Sequence, residues 1–321
     1  MSQSSFMLHS KISDVIRNIN QVMVGKEEAA ILSLVTLLAR GHVLLEDVPG
    51  VGKTMLVRTL AKSLNCEFKR IQFTPDLLPS DVTGVSIYNP KTTDFEFRPG
   101  PILGNIVLAD EINRTSPKTQ SSLLEGMEES SITVDGQSVA LKKPFFVMAT
   151  QNPIEYEGTY PLPEAQLDRF LLKLKMGYPT YQEEMEMLER TSGGHPIHSV
   201  EPVMTLEELV QLQEEVDDVY IDQTVQQYIV SLTSATRDHE SVYLGVSPRG
   251  SMALMKAAKA YAFIYDRDYV VPDDVQYVAK FVLPHRLILT SEANFEGIAP
   301  EDIVHQLIEA TNVPVKRNVS E

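Results

Sequence analysis

Apolar and polar positions follow two different periods along this chain, and the change between them divides it. Phe6, Ile12, Val15, Ile16, Ile19 and Val22 recur at helical spacing and predict an amphipathic helix over 6–23. Val24-Gly25 interrupts it. Residues 26–40 predict a second helix, ended by Gly41. Short apolar runs then alternate with helical stretches. Residues 43–45, 105–109 and 144–150 read as strands buried on both faces, and 67–73 and 170–175 as two further strands. Helices are expected over 53–64 and 117–129, where Ser116 caps the second and Pro117 suits its first turn, with a short one near 164–169.

Two segments depart from this alternation. Residues 74–104 carry five prolines and two short extended runs, 84–88 and 94–97, around Asn89-Pro90, so a hairpin is expected there. Residues 131–134 and 139–141 flank Asp135-Gly136, a strong two-residue hairpin signal. From about Tyr178 the pattern turns helical, over 181–191, 205–217, 222–237, 248–265 and 272–283, with no clear strand runs. The boundary is placed near Gly177: an α/β domain over 1–177 and a helical domain over 178–321.

Composition narrows the class. The 321 residues hold 43% hydrophobic and 22% charged residues, ordinary for a globular protein. The net charge of −16 disfavours a general nucleic-acid or anionic-membrane surface. A single cysteine, Cys66, excludes an intrachain disulfide framework. The opening MSQSSFMLHSK lacks the pattern of a secretory leader, and no apolar stretch is long enough for a spanning helix. A cytoplasmic location is the expectation.

The chemistry centres on VLLEDVPGVGKT, residues 43–54. A buried strand runs into a glycine-rich turn and then a helix opening Lys53-Thr54. Gly50 and Gly52 allow backbone N–H groups to converge on phosphate oxygens, and the helix adds the positive end of its dipole. Lys53 can reach terminal phosphates and the Thr54 hydroxyl can ligate Mg²⁺. The strict pattern has Gly where this chain has Asp47, a residue that tolerates unusual backbone angles. Asp110 ends an apolar strand, where open α/β sheets place ligands. Its carboxylate can hold the same Mg²⁺, while Glu111 can polarise water. Asn152 ends the next strand and could orient that water. Arg169 precedes the last strand and is either structural or a stabiliser of transition-state charge on a neighbouring subunit's phosphate. Arg249, at a predicted helix start, could touch phosphate from the second domain, and Arg114 is a weaker candidate. His195 and His198 lack a metal-binding context, and Cys66, Met252 and Met255 read as packing residues.

DVPGVGKT, LADEINR, ATQNP, PEAQLDRF and SPRG, in this order, resemble the AAA+ ATPases of the MoxR type over nearly the whole chain. Asp47 is common at its position in that group. The resemblance implies an ATP- and Mg²⁺-dependent ATPase with a five-stranded parallel sheet of order 5-1-4-3-2 and a C-terminal all-α lid. It places nucleotide contacts at Pro49, Gly50, Val51, Gly52, Lys53, Thr54 and Met55, with Val24 and Gly25 along the adenine. Asp110 and Glu111 become the Walker B pair, Asn152 sensor 1, Arg169 the arginine finger and Arg249 sensor 2. It makes 76–100 a hairpin inserted into helix 2, and 131–141 the hairpin before sensor 1, both facing the centre of a hexameric ring. It implies a chaperone acting on a protein client, often a partner with a von Willebrand A domain. Two other readings are an ATP-gated assembly scaffold with negligible turnover and a motor acting on nucleic acid or in metal insertion.

Overall fold

The computed structural model describes residues 8–48, 50–152, 158–191 and 196–314. The chain divides into two compact units, one of residues 10–213 and one of residues 214–321 joined by the N-terminal residues. The change of period near Gly177 marks where the sheet ends, and the first compact unit runs on to Gln213.

The first unit opens with α1 (Ser10–Val22) and α2 (Glu27–Leu38). The sheet strands follow as β1 (Val43–Glu46), β2 (Phe68–Gln72), β5 (Ile106–Asp110), β8 (Phe146–Gln151) and β9 (Leu172–Leu174). All neighbours pair in parallel, in the order β2-β5-β8-β1-β9. That is the expected 5-1-4-3-2. The three central strands are continuous apolar runs because helices cover both faces of such a sheet. Val43, Leu44, Leu45, Val107, Leu108, Val147 and Met148 are all fully buried. The edge strand β2, FKRIQ, keeps Lys69, Arg70 and Gln72 exposed.

Helices α3 (Lys53–Ser63), α4 (Pro79–Thr83), α5 (Pro117–Glu129), α6 (Glu164–Leu167) and α7 (Tyr181–Thr191) connect and flank the strands. Ser116 caps α5, its hydroxyl accepting from the Thr119 amide at 3.5 Å. Leu123, Leu124 and Ile112 pack with Phe73, Val107 and Phe170 into one core cluster. Both expected hairpins form: β3 (Gly84–Asn89) with β4 (Asp94–Pro99), and β6 (Ser131–Val134) with β7 (Gln137–Ala140). Asp135 and Gly136 both take positive φ, 51° and 77°, the turn whose twist suits a two-residue hairpin.

The second unit holds the end of α8 (Leu206–Asp218), then α9 (Gln223–Ala235), α10 (Pro248–Ile264), α11 (Pro272–Val282), α12 (Ser291–Phe295) and α13 (Pro300–Ala310). It is not purely helical. A short antiparallel pair, β10 (Val242–Leu244) with β11 (Ile288–Leu289), corrects the expectation of no strands beyond Tyr178. Strands of three and two residues are too short to show a period of two. Among the described residues no helix is long and apolar enough to cross a membrane.

Candidate functional site

The C-terminal ends of β1, β5 and β8 lie side by side, in the registers Leu45 with Thr150 and Ala109 with Ala149. The loop after β1 feeds α3. Gly50 and Gly52 adopt φ of 89° and 93°, the left-handed region where a side chain is strained. A Cβ on Gly52 would also sit 2.9 Å from the Met23 methyl. Pro49 lies outside the described residues. Lys53 and Thr54 open α3, both half-buried. Burial lowers the Lys53 ammonium below its ordinary value, against the opposing pull of Asp47, Asp110 and Glu111. Those three carboxylates are therefore near enough to act on one lysine.

Asp47 does not use the unusual backbone angles expected of it, since its φ stays outside the left-handed region. Its buried carboxylate accepts instead from the amides of Val48 at 3.0 Å and Gly177 at 2.8 Å. Lys53 Nζ donates to the Asp47 carbonyl at 2.8 Å.

Thr150 organises the acidic pair. Its hydroxyl donates to Asp110 Oδ1 at 2.7 Å and accepts from the Glu111 amide at 2.8 Å. Arg70 on β2 donates to Asp110 Oδ2 from Nη2 at 2.6 Å and from Nε at 3.2 Å. Glu111 takes φ of 58°, an unfavourable region for a non-glycine residue and one that recurs at functional sites. Its Oε2 accepts from Gln72 Nε2 at 2.7 Å and from Arg114 Nη1 at 3.0 Å. Asn152 is buried, and its carbonyl accepts from Asn113 Nδ2 at 3.4 Å.

A cavity of about 450 Å³ adjoins the glycine loop. Val24, Gly50, Val51, Gly52 and Met55 line it. Gly25 is adjacent, with Glu183 packed so closely that an added Cβ would overlap its carboxylate. Met23, Lys26, Pro179, Met187 and Arg190 also line it and went unread in the sequence. Helical spacing and an acidic helix face gave them no distinguishing signal. Arg70, Gln72 and Thr150 went unread too, because their partners lie on neighbouring strands about 40 residues away along the chain.

Arg169 is not at the cavity's lining. Within this protomer Nη2 pairs with Glu128 Oε2 on α5 at 2.9 Å. Arg249 is exposed in the first turn of α10, in the second unit. No cluster of three or more His, Cys, Asp or Glu suited to a metal occurs among the described residues. Thr54 and Asp110 still fit a Mg²⁺ that takes most of its ligands from phosphate and water. The left-handed glycines and the half-buried lysine fit a phosphate chain.

Sheet order, glycine loop, and an acidic pair fixed by the next strand define a P-loop nucleotide-binding protein of the AAA+ kind. The family description "ATPase family associated with various cellular activities (AAA)" matches residues 42–172, and an AAA lid domain matches 234–307. The uncharacterized Bacillus subtilis protein YeaC is 65% identical, over 97% of each chain. The Mycobacterium tuberculosis protein named Chaperone MoxR1 is 42% identical over 93% of this chain and 81% of its own. A crystal structure of a presumed ATPase from Cytophaga hutchinsonii superposes with a TM-score of 0.89, at 41% identity over 95% of each chain. This chain belongs to the MoxR-type AAA+ ATPases.

Proposed function

We propose that this protein hydrolyses Mg²⁺-ATP and uses the cycle to remodel or activate a client protein. The observation that carries the reading is that Lys53, opening α3 after the glycine loop, lies within electrostatic reach of Asp110 and Glu111 at the end of β5, while the Thr150 hydroxyl of β8 binds the Asp110 carboxylate and the Glu111 amide. Bound Mg²⁺-ATP supplies the electrophilic terminal phosphate. Lys53 faces the phosphate oxygens as a point charge, and Thr54 and Asp110 hold the ion. Glu111 takes the proton of the attacking water, and Asn152 orients that water.

The resemblance to AAA+ rings puts Arg169 at a subunit edge, so it is proposed to act on a neighbour's phosphate in a hexameric ring. The two hairpins are proposed to meet the client. Val85, Ile87, Tyr88 and Phe95 on the first are well exposed, apolar area that a folded monomer gains nothing by showing. A von Willebrand A domain protein is the candidate partner that the relationship suggests, and a cytoplasmic setting fits it.

The test is phosphate release by the pure chain, with Mg²⁺ and with a chelator, followed by sedimentation in ATP. Mg²⁺-dependent turnover that rises as rings assemble is expected. ATP binding without turnover, at every concentration, would favour a scaffold instead.

A further inference from the structure

The peptide at Met176-Gly177, between β9 and α7, is held from both sides by buried charges. Asp47 Oδ2 accepts from the amides of Met176 at 2.5 Å and Gly177 at 2.8 Å. Lys26 Nζ donates to the carbonyls of the same two residues, at 2.8 and 3.1 Å. Asp47 and Lys26 are each only 8% exposed. Two opposite charges buried on one dipeptide compensate each other, and removing one strands the other. Gly177 has φ of 65°, and an added Cβ would meet nothing within 4 Å. Glycine is used there for its backbone angle, the mark of a turn whose shape is specified.

This turn leads into α7 four residues on, and α7 with Pro179 forms one wall of the nucleotide cavity through Met187 and Arg190. Glu183 of the same helix packs against Gly25. At the other end, Asp47 belongs to the phosphate loop, and its carbonyl accepts from Lys53.

We propose that Asp47, standing where the strict phosphate-loop pattern has glycine, is a positioning residue that with Lys26 clamps the Met176-Gly177 turn and so sets the α7 wall against the base end of the nucleotide. The proposal rests on the nucleotide reading above. It separates the two ends of the ligand. The phosphate end needs the loop backbone and Lys53, and a glycine at 47 removes from it one bond to the Val48 amide while keeping the carbonyl that Lys53 meets. The base end needs the wall that the Asp47 carboxylate anchors.

The experiment is calorimetric titration of the full chain with ATP and with tripolyphosphate, in the wild type and in Asp47→Gly. ATP affinity should fall about tenfold or more in Asp47→Gly, as loss of hydrogen bonds to a charged group implies, while tripolyphosphate affinity falls by clearly less, so that the ratio of the two affinities shifts. Hydrogen exchange at the amides of Met176 and Gly177 should speed up. Asp47→Asn, which keeps an acceptor oxygen, should fall between the two. If Asp47→Gly does not fold, Asp47→Asn carries the test by the same ratio. An unchanged ratio of ATP to tripolyphosphate affinity, in a wild type that binds ATP, overturns the clamp alone. Equal losses for both ligands also overturn it, since the residue would then merely hold the loop. A wild type that binds neither ligand overturns the nucleotide reading itself, and the clamp's role with it.

Discussion

Gln72 on the edge strand β2 donates from Nε2 to Oε2 of Glu111 at 2.7 Å, in a register that sets Gln72 beside Asp110. The same oxygen accepts from Arg114 at 3.0 Å. The proposed base is therefore oriented by two donors from different elements. Glu111→Gln should bind ATP normally but lose about 10²–10⁴ in turnover, since an amide cannot accept the water's proton. Gln72→Ala should lose less, with KM unchanged, because the carboxylate keeps its chemistry but not its aim. Phosphate-release kinetics read both. Wild-type turnover in Glu111→Gln would remove it as the base.

Lys53→Ala should abolish most ATP binding. The ammonium sits half-buried at the glycine loop, so its removal deletes charge-assisted bonds to the phosphates, a loss of about a hundredfold in affinity. Calorimetry decides. An affinity equal to the wild type's would show that the glycine loop does not hold the phosphates.

The sequence made some of this legible and hid the rest for physical reasons. β1, β5 and β8 are doubly buried, so each reads as a largely apolar run, and β5 ends at Asp110. The phosphate-loop glycines and Asp110-Glu111 are local patterns, readable within a dozen residues. The partners that aim them are not local. Thr150, Arg70 and Gln72 act on the acidic pair across the sheet, and nothing near them in sequence says so. Asp47 was legible as a departure from the glycine pattern, but its anchoring of Met176 and Gly177, some 130 residues on, was not. α12 and α13 passed unread among the helices beyond residue 283.

His42 provides a test of the α/β core that is independent of nucleotide. It is buried, with Nδ1 accepting from the Val147 amide at 3.0 Å, which leaves Nε2 to donate to the Met127 carbonyl at 3.2 Å. Burial pushes the imidazole from 6.5 down to about 4, although the Met127 contact acts the other way. The unfolded chain therefore binds a proton between those values that the folded chain refuses. The stability is fully present above about pH 6.5 and is lost as pH falls towards 4, by roughly 3 kcal/mol at most. Melting curves at pH 7 and pH 5 should show a drop that is smaller in His42→Gln, whose side chain does not titrate. An identical drop in the variant would assign the effect to other groups.

Deleting residues 90–93, the connection between β3 and β4, should leave melting temperature and basal phosphate release near wild type. All of β4 is exposed, and the hairpin tip lies outside the core cluster. Any stimulation of turnover by a client should disappear. A large fall in melting temperature would show that the tip supports the fold.

Arg169 decides whether the catalytic unit is one protomer or two. Its guanidinium pairs with Glu128 in this protomer and is about one-quarter exposed, so it is held but accessible. As a residue that serves a neighbour, Arg169→Ala should bind ATP nearly normally and hydrolyse it poorly. An arginine supplied in trans contributes about 10³–10⁵ in rate in well-studied phosphoryl transfers. Glu128→Gln separates this from a structural role. If the ion pair is what matters, Glu128→Gln should copy Arg169→Ala; if the arginine works on phosphate, Glu128→Gln should keep most activity. Mixing supplies the second arm. A Glu111→Gln subunit still presents Arg169, and an Arg169→Ala subunit still holds an intact Asp110-Glu111 pair. Mixed rings then contain some complete interfaces, and part of the activity should return in a manner that depends on protein concentration. Should mixed oligomers form and remain as inactive as their components, Arg169 acts within its own subunit, and Arg114, already 3.0 Å from Glu111, becomes the residue to change next.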